Sequence, residues 1–119
     1  MDSKIFNSLF KILLEEKDIE VSITQELEVW NDAADSNQKN INKFFKEFIF
    51  DYDMFFELLE KSDALGDNHE LKLFLIDEKI IMNGKTFITG TWEDEEYEEP
   101  KEKSFKWIFD KEGNILKIE

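Results

Sequence analysis

One stretch of this 119-residue chain concentrates chemistry-bearing side chains: Trp92-Glu93-Asp94-Glu95-Glu96-Tyr97-Glu98-Glu99-Pro100. Six of the seven residues from Glu93 to Glu99 are acidic, and the seventh is Tyr97. Contiguous carboxylates repel one another, so such a run carries a standing attraction for opposite charge. Trp92 and Tyr97 add rings of the kind that anchor protein contacts. Acids interleaved with rings suit capture of a basic protein surface. The field speeds encounter and the rings slow departure. Trp92, Glu93, Asp94, Glu95, Glu96, Tyr97, Glu98 and Glu99 are therefore the candidate partner-binding residues. The bland alternative is a solvated connection between strands.

Catalytic chemistry has far less to work with. His69 is the only histidine and is flanked by Asp67, Asn68 and Glu70. A hydrolytic triad needs a serine and a carboxylate converging on it, and no G-x-S-x-G elbow is present. His69 reads as a surface polar residue. With 29 Asp and Glu in the chain, carboxylate pairs occur at every spacing and single out no acid–base dyad. The Asp63–Glu70 loop lacks the alternating acids of a calcium-binding EF-hand. There is no glycine-rich phosphate loop. The absence of Cys excludes disulfides, thiolate metal sites and cysteine nucleophiles. No catalytic residue, metal site or cofactor is expected, and the enzyme that remains conceivable is one using buried carboxylates.

The charge narrows the partners. Fifteen Lys and no Arg stand against those 29 acids, giving a formal net of −14. Such a field repels nucleic-acid phosphates and anionic lipid. At 41% apolar residues the chain has the composition of a folded domain, and twelve Phe promise a ring-rich core. Leu13-Leu14 runs into Glu15-Glu16-Lys17 rather than small residues, unlike a signal peptide. No apolar run approaches the roughly 20 residues of a spanning helix. The expectation is a cytoplasmic protein that binds neither membrane nor nucleic acid.

The elements that must position these residues follow from periodicity. Ile5, Phe6, Leu9, Phe10, Leu13 and Leu14 form a helical stripe over Ser3–Lys17, after an Asp2-Ser3 cap signal. Residues 18–35 carry two patterns. Ile19, Val21 and Ile23 alternate as in a strand, and Ile23, Leu27 and Trp30 share a helix face. A short extended piece and then a short helix over Gln25–Ala34 satisfies both. From Ile41 to Leu59 apolar residues recur every three or four positions, predicting one helix from about Asn37 to Lys61, roughly 37 Å long. Asp51 and Asp53, on either side of Tyr52, mark a place where it can break. Gly66 is read as the glycine that ends it.

From Glu70 the period changes to two. Leu71, Leu73 and Leu75 alternate with Lys72, Phe74 and Ile76, and Asp77-Glu78 interrupts. Asn83-Gly84 is the preferred pair for a type I′ turn, so Lys79–Met82 and Lys85–Trp92 read as the arms of a hairpin. Gly90 is read as a bulge position. Ser104–Asp110 carries Phe105, Trp107 and Phe109 on one face, and Lys111–Asn114 turns into a last strand, Ile115–Ile118. The plan is one α+β domain: mainly helical over residues 1–62, then an antiparallel meander of four to five strands over 70–119, with the helices on one face.

Lys79–Trp92, Phe105–Asp110 and Gly113-Asn114-Ile115-Leu116-Lys117-Ile118 together resemble the sheet of cystatin-like and nuclear-transport-factor-2-like domains. That resemblance implies a pocket for an apolar small molecule between the Phe44–Phe56 helix and the sheet, lined by Phe44, Phe48 and Phe55. In size, charge and the Trp92–Glu99 segment the chain also resembles the small immunity proteins that neutralise bacterial toxin domains, often nucleases. That second resemblance implies a basic toxin partner whose active site is blocked by charge and bulk, and it is the leading expectation.

Overall fold

The computed structural model describes residues 3–88 and 101–119. The first helix, α1, spans Ser3–Glu16 and buries Ile5, Phe6, Leu9, Ile12 and Leu13. Leu14, assigned to the stripe by spacing, is exposed, and Ile12 takes the inner place. Lys17 ends the helix at φ 74°, and its N–H reaches the Leu13 carbonyl at 3.0 Å.

Residues 18–35 do not contain a helix. Strand β1 (Asp18–Ile23) turns back into β2 (Val29–Asn31), so the helix expected over Gln25–Ala34 is replaced by a hairpin. The cause lies in the turn. Thr24 bonds the Glu28 backbone through its own backbone N–H and through its hydroxyl, while Leu27 takes a left-handed φ of 65°. That geometry separates Trp30 from the Ile23–Leu27 face it would share in a helix.

Helix α2 (Asp35–Lys46) passes into a π-helical turn, Glu47–Asp51, closed by the Tyr52 N–H on the Glu47 carbonyl at 2.9 Å. Asp53 then sits at φ 52°, and α3 (Met54–Lys61) begins. The expected single helix is thus two, broken where Asp51, Tyr52 and Asp53 stand. Asp tolerates the left-handed region better than most residues, because its short side chain finds local hydrogen bonds. Gly66 is not the terminating glycine. Asp63, at φ 54°, follows α3, and the Ala64 N–H returns to Leu59. Gly66 instead lies under Thr86, where a Cβ would collide with its methyl group.

Four further strands follow: β3 (Asn68–Ile76), β4 (Lys79–Ile88), β5 (Lys101–Phe109) and β6 (Ile115–Ile118). The sheet is fully antiparallel in the order β2-β1-β3-β4-β5-β6. Six strands rather than four or five arise because the N-terminal half supplies the β1–β2 hairpin. The β3–β4 turn is also not where Asn83-Gly84 would place it. Asp77 and Glu78, at φ 51° and 62°, make the two-residue connection, and Ile76 pairs with Lys79. Two positive φ values define a type I′ turn whatever the residue types. Turning there leaves alternation unbroken along β4, so that Ile80, Met82 and Thr86 all face inward. Gly84 serves a different purpose. It pairs with Leu71 and Phe105, and a Cβ on it would collide with the Phe105 ring.

Register explains the core. Ile19, Leu73, Met82 and Trp107 lie in one row across four strands, and all are fully buried. Phe105, Trp107 and Phe109 face the helices from β5, as alternation requires. The α2 and π-turn rings meet them. Phe44 and Phe48 stack at 5.2 Å, and Phe48 approaches Phe55 at 6.2 Å, Phe109 at 6.2 Å and Trp107 at 6.4 Å. The Trp107 indole N–H is satisfied by the Ser62 hydroxyl at 2.9 Å.

Candidate functional site

The acidic segment Trp92–Glu99, together with Gly90, lies outside the described residues. Its anchors lie within them. Ile88 at the end of β4 pairs with Lys101 at the start of β5, so the connection leaves and re-enters the sheet on adjacent strands. Around these anchors the charges are partnered across elements. Lys85 meets Glu102 at 3.1 Å across the β4–β5 pair, and Lys103 meets Asp63 of the α3–β3 loop at 3.1 Å. The Asp67 N–H bonds the Phe87 carbonyl, tying that loop to β4. The described strand ends, Ile88 and Lys101, are thus paired with each other, and β4 is tied to a neighbouring loop.

His69 is not a surface residue. It is 2% exposed, its Nδ1 stands 2.9 Å from the Thr86 hydroxyl, and its ring meets Phe55 edge-on at 5.0 Å. Alternation along β3 puts it on the same side as Leu71 and Leu73, and its cross-strand neighbours are Ile23 and Thr86. Burial drives its pKa down to about 4, against the opposing pull of the Asp67 carboxylate. Near neutrality it is an uncharged imidazole out of reach of solvent. The signal was available in the sequence: counting back by twos from Leu73 and Leu71 lands on His69.

The ring layer leaves little room for the apolar ligand that the cystatin-like reading implies. Phe44, Phe48 and Phe55 are at most 3% exposed and touch one another or Trp107. These contacts count against a cavity there.

Among the described residues hollows lie elsewhere, one of about 200 Å³ between α1 and α2 beside Ser8, Asn40, Lys43 and Phe44. The outer face of the sheet bears a shallow one of about 430 Å³, lined by Glu20, Ser22, Glu70, Lys72, Lys85 and Ser104. Its charges alternate in sign across the strands, with Glu20 opposite Lys72 and Glu70 opposite Lys85. A further hollow, of about 500 Å³, lies between β2 and the helical layer, lined by Glu28, Val29, Trp30, Asn31, Lys46 and Phe50 among others. Trp30 is 64% exposed and Phe50 56%. Sequence reasoning missed this placement, because it put Trp30 on a helix and left Phe50 without a role. Among the described residues no group of three or more His, Asp or Glu is placed to hold a metal ion, and no helix is long and apolar enough to cross a membrane.

Comparison with family models, curated proteins and solved structures finds no significant match.

Proposed function

We propose that this chain is a non-enzymatic, immunity-type inhibitor that captures a basic protein, of the toxin-domain kind, through Trp92–Glu99. The observation that carries the reading is the acid-and-ring composition of that segment, mounted between the paired residues Ile88 and Lys101. A net charge of −14 gives the whole molecule the sign needed to steer toward a nuclease-like basic cleft. The rings of Trp92 and Tyr97 then supply contact area that charge alone does not. Burial of His69 against Thr86 favours a binding role over acid–base catalysis, since the chain's one imidazole has no access to a substrate.

The test is capture of a partner from the source cell at low salt, followed by association kinetics with the purified partner. Glu95→Lys with Glu96→Lys should slow association about tenfold at low salt and flatten its salt dependence. An association rate that ignores salt in the unmodified protein would remove the electrostatic basis of the reading.

A further inference from the structure

Asn83-Gly84 has turn chemistry that the fold leaves unused, and a second reactivity that the fold holds in check. Asparagine followed by glycine is the pair most prone to cyclise, because no side chain on the second residue hinders its nitrogen. The Gly84 nitrogen gives up its proton and attacks Asn83 Cγ, the Cγ–Nδ2 bond breaks, and the amide leaves as ammonia. Water then opens the succinimide ring. Opening at one carbonyl leaves aspartate. Opening at the other leaves an isoaspartyl residue, whose main chain runs through Cβ and Cγ and is one methylene longer.

In the folded chain β4 opposes that attack. It lies inside the sheet, between β3 and β5. Asn83 pairs with Lys72 and Lys106, and Gly84 pairs with Leu71 and Phe105. The Lys106 N–H and C=O both bond Glu119, on the β6 side. Alternation in an antiparallel ladder then turns the Phe105 N–H and C=O toward β4, where Gly84 is their partner. The attacking nitrogen is therefore held in a ladder bond. Ring closure also turns Asn83 ψ out of the extended range that the strand requires. That rotation carries Gly84 away from Phe105, whose ring lies so close that a Cβ on Gly84 would collide with it. The Asn83 side chain is exposed beside the shallow hollow of the outer face, so solvent reaches it. What the fold withholds is the nitrogen.

We infer that Asn83-Gly84 is a latent deamidation site, closed in the folded sheet and released when β4 parts from β5, and that its isoaspartyl product cannot re-enter the sheet. The extra methylene falls within a strand paired on both sides from Ile80 to Phe87. It puts one half of β4 out of register with both neighbours, and register decides which side chains face the core. The aspartyl product lacks this fault. Its added charge lies between Lys72 and Lys106, an arrangement that favours the sheet. The site thus marks chains that have opened and bars the isoaspartyl fraction from returning.

The full chain is held at mildly alkaline pH in buffer and, in parallel, in guanidinium chloride above its unfolding transition. Trypsin then releases Ile80–Lys85 as one peptide, and mass with chromatography separates asparagine, aspartate and isoaspartate at position 83. In denaturant the expected result is steady conversion at Asn83, faster than at Asn7-Ser8. In buffer conversion should be at least about a hundredfold slower, because opening a central strand approaches global unfolding. After denaturant is removed, the isoaspartyl fraction should lack a cooperative thermal transition, whereas Asn83→Asp should keep the parent's. Similar rates in buffer and denaturant would overturn the inference, as would conversion in denaturant no faster at Asn83 than at Asn7. So would an isoaspartyl fraction that refolds with the parent's transition. Loss of the transition in Asn83→Asp would also overturn it, by assigning the damage to charge rather than to the longer backbone.

Discussion

His69 and Thr86 show how one buried polar pair couples the core to pH. The imidazole has its pKa lowered to about 4 by burial, below its ordinary value of 6.5. The folded state therefore binds fewer protons than the unfolded state between those two values. The contribution of this group to stability is whole above pH 6.5, declines as pH falls through the window, and is lost below pH 4. A shift of this size corresponds to about 3 kcal/mol. Denaturant unfolding at neutral pH and near pH 4.5 should show His69→Leu with Thr86→Val losing clearly less stability over that interval than the parent. The double change is needed, because removing one partner alone leaves a buried hydroxyl or imidazole unpaired. An identical acid loss in both proteins would assign the decline to carboxylates elsewhere.

At the scale of elements, the helical stripes and the β5 faces were legible because each is long enough for its period to be counted. Phe105, Trp107 and Phe109 were placed correctly by alternation alone. The errors fell where a local preference competed with a longer-range demand. Asn83-Gly84 has the stronger turn chemistry, yet the core requires Ile80, Met82 and Thr86 on one face of a continuous strand. The turn passed to Asp77 and Glu78, which hold positive φ without being glycine. Asp77→Asn together with Glu78→Gly installs the pair that a type I′ turn prefers and relieves that conformation at its source. Urea unfolding should show a gain of about 1 kcal/mol with no change in slope. A loss of stability would mean that the native side chains make contacts outweighing the backbone preference. The β1–β2 hairpin was illegible for a related reason. Thr24–Glu28 closes through a Thr side chain and a left-handed Leu27, neither of which is a common turn signal.

For the molecule as a whole, the excess of acid bears on folding. Like charge distributed over a small domain opposes compaction, and salt screens it over about 10 Å at 0.1 M. The thermal midpoint should therefore rise between low salt and near-physiological salt, by about 4 °C for each kcal/mol of repulsion removed. A midpoint insensitive to sodium chloride would show that paired charges such as Lys85–Glu102 and Lys103–Asp63 already balance the field. The proposed contact segment and the hollow beside β2 differ in how far sequence could reveal them. Trp92–Glu99 announces itself by composition, with no reference to the fold. The hollow beside β2 does not, because Trp30 and Phe50 come to line it only once β2 lies beside the helical layer.

The strand order also sets a sequence of events in time. β3 and β4 are joined by two residues, Asp77 and Glu78, whereas roughly 45 residues separate Ile23 from its partner His69. Closure entropy grows with the logarithm of loop length, so the second pairing costs about 3 kcal/mol more than the first. The β3–β4 hairpin is then the local unit, and pairing β1 with β3 must close a loop that contains both helices of the middle segment. Until that moment β3 is itself a bare edge carrying Leu71, Leu73 and Leu75. A chain in which β3 and β4 have paired before β1 arrives would hold that apolar strand open, with the carboxylates of the rest of the chain to keep neighbouring copies apart.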